Sequence, residues 1–263
     1  MRQETRKRLW RVLYDFAAEQ LPKRDRWTLE DIRLAYPFHR LLFSEEAILG
    51  ARVERSVVTS MGSGLYPSIA RTIAEDRFER VFMEHTVEGV VNDAACNMIE
   101  QIVTELRTPK RRRATPREPC HADEVSDILN SPGGGRTNRA VTADLYIEDF
   151  LAGPLFVELK SPLPNLDIAA ESKRKILYYL LIMDRKGVPD AQAYLGLTYN
   201  PFIKREAYAH SFTKQIMDME HQVLMGNELW DMLGGLGTYT ELLEIIEDVH
   251  GHLPRVEQKR MCL

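Results

Sequence analysis

The chain has 263 residues, of which 44% are hydrophobic and 28% charged, with a formal net charge of −4. That composition suits a folded domain with a sizeable core, and residues 1–263 read as a single domain. No apolar run approaches the ~20 residues of a membrane helix, and the Arg-rich amino terminus lacks a signal-peptide core, so a cytoplasmic protein with no membrane contact is expected.

Cys96, Cys120 and Cys262 are far apart and no CxxC occurs. Cys120-His121 has no second pair at finger-like spacing, so neither a disulfide framework nor a zinc site is expected. The negative balance counts mildly against nucleic-acid binding, since Lys and Arg supply most non-specific affinity. Against that, Arg outnumbers Lys 25 to 10, and its planar fork suits phosphate and guanine edges.

In chain order, residues 3–21 are predicted helical and end at Pro22. Residues 44–60 form a second helix with Ser44 as N-cap, broken by Met61-Gly-Ser-Gly64. Tyr66-Pro67 begins a third helix running to about His85, and residues 87–106 are helical again, so residues 1–106 read as mainly helical. Residues 107–135 read as a basic and Gly-rich loop region, and Arg107 to Arg117 carries six basic residues. That stretch is either a solvated connection or a loop tracking phosphates. From 136 to 200 the pattern changes to a hairpin (Thr142–Glu148 and Leu155–Lys160), a helix over 167–186 and a strand over 193–199. Residues 201–263 are mainly helical, interrupted at Gly234, Gly235 and Gly237, and Trp230, Met232, Leu233, Leu236, Leu242, Leu243, Ile245 and Ile246 fit a packed helical subdomain, with direct DNA contact as the other reading. The order implies an α/β fold, a mixed central sheet flanked by helices.

Four acid-x-Lys triplets occur: Glu158/Lys160, Glu171/Lys173, Asp184/Lys186 and Glu257/Lys259. Only Glu158/Lys160 lies on a predicted strand, where residues two apart share a face. Leu155, Val157 and Leu159 then anchor the other face against a helix layer. Lys173, on a predicted helix, reads as a surface residue. Folding the hairpin about Leu151 puts Asp144 opposite Glu158, with Cβ atoms ~5 Å apart. Two carboxylates at that distance repel unless they share a cation. Phosphodiester hydrolysis needs such a set, because Mg²⁺ takes oxygen ligands from one or two carboxylates plus water and phosphate. Asp144 and Glu158 are therefore the expected metal ligands, with the backbone carbonyl of Leu159 as a third. Lys160 is the residue expected to orient or activate water. A kinase is excluded because no GxGxxG precedes Phe156-Val-Glu-Leu-Lys160, and a P-loop because no Gly-Lys-Ser/Thr follows Pro132-Gly-Gly-Gly135.

Asp144, Glu158 and Lys160 on a hairpin, followed by helix and strand, resemble the PD-(D/E)xK nuclease core, with Ala143 where the motif has proline. Residues 54–62 are similar to a helix that precedes the hairpin in many restriction enzymes. The resemblance makes Glu54, ahead of Glu45 and Glu46, a residue that reaches the metal through water; a solvated partner of Arg52 or Arg55 is the other reading. Tyr199-Asn-Pro-Phe202 and the stretch 226–243 resemble the TdeIII family of Type II restriction endonucleases, a likeness running from roughly residue 40 to 250. It implies a Mg²⁺ enzyme, a homodimer, that cuts unmethylated double-stranded DNA at a short GGNCC-like palindrome beside a cognate DNA methyltransferase. Arg136, Arg139 and Lys204 are candidate base readers, and Tyr199 and Asn200 a candidate edge of the DNA cleft. A repair or structure-specific nuclease, a non-catalytic DNA-binding protein and a protein-interaction module are the alternatives.

Overall fold

The computed structural model describes residues 1–21, 27–108 and 117–254. Lys110, Arg111, Arg112 and Arg113 of the basic stretch and the Glu257/Lys259 triplet lie outside the described residues. The described helices are α1 (Gln3–Gln20), α2 (Leu29–Ala35), α3 (Glu45–Ser60), α4 (Tyr66–Ala74), α5 (Asp93–Arg107), α6 (His121–Leu129), α7 (Leu166–Arg185), α8 (Ser211–Ile216), α9 (Asn227–Gly234) and α10 (Thr238–His252). The strands are β1 (Val81–Asn92), β2 (Arg136–Ile147), β3 (Leu155–Lys160), β4 (Gln192–Leu197) and β5 (Val223–Met225). They lie side by side in that order, antiparallel from β1 to β3 and parallel from β3 to β5. This is the mixed sheet flanked by helices expected for an α/β fold.

β3 shows why the sheet is buried on both faces. Phe156 packs into a core built with α5 and α7, while Leu155, Val157 and Leu159 pack into a second core built with α1, α4, α9 and α10. The period of two sends alternate side chains to opposite helix layers; the layer under Leu155, Val157 and Leu159 was expected, whereas Phe156 and Glu158 are buried on the other face rather than open to a cleft. The β2–β3 turn is fixed by Gly153. Its φ is +111°, and a Cβ there would stand 2.1 Å from the Asp190 carbonyl oxygen.

The first 106 residues are less helical than their pattern suggests. α4 stops at Ala74, and Val81–Asn92 is a strand paired along its length with β2. Its valines at 81, 87, 90 and 91 fit a helical period and a strand period alike, and the long partner strand decides between them. Met61–Leu65 does not break the helix but continues α3 into α4 as a π-helical turn. Within the region read as loop, His121–Leu129 is a helix, and the tail contributes the short strand β5. Trp230, Leu233, Leu242 and Ile245 are buried as expected and Met232 is half-buried, whereas Leu236, Leu243 and Ile246 are exposed.

Lys173 corrects a charge reading. It is fully buried on α7, with its Nζ 2.5 Å from Glu124 on α6 and also bonded to Gln222. The ion pair ties α6 to α7, and the hydrogen bond to Gln222 ties in the residue that precedes β5. Burial pulls the lysine pKa down, against the opposing pull of Glu124.

Candidate active site

The pairs Ile147↔Leu155, Tyr146↔Phe156 and Leu145↔Val157 define the β2–β3 register. One step further, the same register sets Asp144 opposite Glu158, the arrangement expected from folding about Leu151. At that step the pairing of β2 with β3 ends, and β2 runs on paired only with β1. The strands part where the two carboxylates stand.

A change of face in β1 and β2 accompanies the parting. His85 stacks on Tyr146 with ring centroids 4.5 Å apart, and Phe82 lies 5.2 Å from His85. Residues 82 and 85 thus share a face that regular alternation would deny them. Between them Glu84 has φ +48°, a conformation few non-glycine residues adopt. On β2 the shift falls beside Asp144: Ala143 and Tyr146 enter one core, Leu145 the other. Such local irregularities re-aim side chains next to sites.

Asp144 Oδ2 accepts from the Leu159 N–H at 2.8 Å and from Lys160 Nζ at 2.7 Å. The same Nζ lies 2.8 Å from Glu158 Oε1, so one ammonium bridges two carboxylates. Burial pulls the Lys160 pKa down, but Glu158 and Asp144 outweigh it and hold it above the ordinary 10.5. Glu158 is only 2% exposed and meets a second cation, Lys175 Nζ, at 2.9 and 3.0 Å.

Lys175 escaped the sequence reading, although a signal was present. Tyr179 packs against Phe156 with tilted rings whose centroids are 4.6 Å apart, and Lys175 lies four residues, about one helical turn, before Tyr179 as Glu158 lies two strand residues after Phe156. A turn of helix advances ~6 Å and two strand residues ~6.6 Å, so the second pair meets when the first does.

Asp144, Leu159 and Lys160 line a cavity of about 590 Å³ whose other walls come from α3, the π-turn, α4 and β1. Thr59, Gly62, Ser63 and Arg71 form the helical side, and Glu84 the β1 side. Glu54 is exposed on α3 and is not part of this lining; the cavity's additional acid is Glu84. Arg136 and Lys204 are exposed, and the Arg139 guanidinium lies 5.9 Å over the Tyr178 ring. Tyr199 is 40% exposed just beyond β4.

Two opposed carboxylates that already share one cation form a hard-oxygen donor set, which fits Mg²⁺. Among the described residues no three His, Cys, Asp or Glu side chains gather into a cage. A cation here would complete its shell from water and substrate oxygens, as Mg²⁺ does at phosphate sites. Among the described residues no helix is long and apolar enough to cross a membrane.

Comparison with known proteins gives relatives along most of the chain. The Type II restriction enzyme HgiBI of Herpetosiphon aurantiacus is 30% identical over 214 residues, covering 81% of this chain and 76% of that enzyme. HgiEI of the same organism is 31% identical with the same coverage, and HgiCII is 30% identical over 216 residues. No solved structure gives a significant match. Residues 11–250 match the family described as "Type II restriction endonuclease, HinfI", and the chain belongs to that family.

Proposed function

We propose that the chain is a single-domain, Mg²⁺-dependent nuclease of the PD-(D/E)xK type that cuts both strands of double-stranded DNA at a short palindrome. The observation that carries this reading is the single ammonium of Lys160 shared by Asp144 and Glu158 where β2 and β3 part. Asp144 and Glu158 would hold the cation with the Leu159 carbonyl, and the cation would neutralise charge developing on the phosphate and acidify a bound water. Lys160, held as an ammonium, is suited to orienting that water by donating to it. Lys175 pairs with Glu158 and holds it in place, and Arg71 offers a guanidinium to a phosphate entering the cavity. In-line attack by water on phosphorus breaks the bond to the 3′-oxygen and leaves 5′-phosphate and 3′-hydroxyl ends. The indirect acidic contribution sought at Glu54 is better supported at Glu84, which lines the cavity.

The TdeIII resemblance points to a GGNCC-like site, with a cognate methyltransferase protecting the host's copies in the cytoplasm. A palindrome presents two equivalent strands, which a homodimer matches by symmetry. The dimer reading is supported by the segment 29–43, where Leu34, Phe38, Leu41 and Leu42 are each about 80% exposed. Its two arginines, Arg33 and Arg40, are both engaged by Glu45 of α3. An apolar surface whose guanidiniums are held by a carboxylate suits a second copy better than a phosphate backbone.

The test is incubation of purified protein with unmethylated phage DNA in Mg²⁺ and in EDTA. Discrete fragments in Mg²⁺ alone are expected; intact DNA under every divalent cation overturns the reading, and a smear turns it to a non-specific nuclease.

A further inference from the structure

Beyond Asp144 and Glu84, β1 and β2 continue as a two-stranded ribbon, and only one face of it is covered. Val87, Val91, Val141 and Ala143 pack on α5 and α7. The approach is close enough that a Cβ on Gly89 would stand 2.7 Å from Ile182 Cγ2. The opposite face carries Thr86 and Glu88 on β1 and Thr142, Ala140, Asn138 and Arg136 on β2, all exposed. Thr86 is registered against Thr142, with their hydroxyls 2.8 Å apart, and Glu88 against Ala140. The helices of the second core reach β2 at Leu145 and Ile147, short of this face.

We propose that this face of the ribbon reads base edges in the major groove of the duplex that the site cuts; the inference rests on the endonuclease reading above. Four observations support it. The first is position. Thr142 and Thr86 lie two residues, or ~7 Å, from Asp144 and Glu84, so a duplex placing a phosphate at Asp144 covers them. The second is size. A two-stranded ribbon enters the ~12 Å major groove, and Asp144 to Arg136 spans ~26 Å, more than the length of a short palindrome.

The third is chemistry. A surface built to grip phosphates carries several Lys and Arg, whereas this one offers hydroxyls, a carboxamide, the apolar Ala140 and Val90, one carboxylate and a single guanidinium, Arg136. Glu88 is repelled by phosphates but can accept from a cytosine amine. Arg136 suits the two-point pattern of guanine, and the Thr hydroxyls can meet either base of a pair. The fourth is rigidity. The back of the ribbon is packed on α5 and α7, so its side chains keep fixed spacing relative to Asp144.

The experiment maps the ends produced on phage DNA by wild type, Asn138→Ala, Glu88→Gln and the double variant Thr86→Val/Thr142→Val, by sequencing. These positions are exposed, and thermal unfolding checks that each variant is folded. The expected result is a changed end-sequence profile, with at least tenfold loss of preference between the wild-type site and sites differing by one base pair. Profiles and preference ratios within twofold of wild type for all three overturn the inference while leaving the endonuclease reading intact. A wild type that yields no mapped ends overturns both.

Discussion

The Leu159 N–H donates a 2.8 Å hydrogen bond to Asp144 Oδ2 at the point where β2 and β3 stop pairing. Strands that part would leave backbone donors without partners, and such a group costs about 1–3 kcal/mol when buried. Here the carboxylate takes the place of the lost carbonyl. Opening of the cleft and orientation of Asp144 are therefore one structural event.

A stability difference between two variants follows. Asp144→Ala strands the Leu159 N–H and removes one partner of Lys160, and is expected to cost about 1–3 kcal/mol in denaturant unfolding. Asp144→Asn keeps an acceptor in place and should cost less than about 1 kcal/mol. Equal losses for the two would contradict the role assigned to this hydrogen bond.

Asp144 and Glu158 are balanced by Lys160 and Lys175, so the metal-free cluster is close to neutral. Lys175→Met leaves it net negative. Ca²⁺ binding followed by calorimetry should then tighten by about 3–10-fold, while Mg²⁺-supported cleavage falls because Glu158 loses the cation that holds it. Unchanged or weaker Ca²⁺ binding would argue against a cation site at these carboxylates.

The segment 29–43 should set the oligomeric state. Its exposed Leu and Phe side chains amount to an area on the order of that buried per partner in a standard interface, about 800 Å². Leu41→Glu with Phe38→Ser is expected to convert a dimer to a monomer in sedimentation equilibrium. A dimer of undiminished affinity would place the interface elsewhere.

Acid should loosen the amino-terminal helix. Burial pushes the Asp76 carboxyl pKa up, but hydrogen bonds from Thr5 and Arg2 outweigh it and hold it below the ordinary 3.8. A depressed carboxylate contributes stability above the unfolded value and loses it as pH falls through the folded one. The contribution that ties α1 to the end of α4 is thus present at neutral pH and fades below about pH 4. Asp76→Asn should lower the melting temperature by a few degrees at pH 7 and narrow its difference from wild type at pH 3; a constant difference would refute the linkage.

The hairpin was legible because its signals are local. Alternating Leu155, Val157 and Leu159 mark a strand with one face against a helix layer, and a turn centred on Leu151 fixes which acids oppose each other. Val81–Asn92 was not legible, since its valines satisfy two periods and only the partner strand, 44 positions on, selects one. The single-residue irregularity at Glu84 has no sequence mark at all. Lys173 and Lys175 were hidden by a rule that is usually right: charged residues on a helix face water. Each is instead turned inward by a carboxylate from another element, Glu124 from α6 and Glu158 from β3.

A role for Asp144 in a metal-dependent cut is separable from its role in the fold. The direct measurement compares wild type and Asp144→Asn on one plasmid, scoring cleavage in Mg²⁺ and duplex binding in Ca²⁺. A cleavage loss on the order of 10²–10⁴ is expected, with duplex binding within a few-fold of wild type. Cleavage by Asp144→Asn at the wild-type rate would contradict that role.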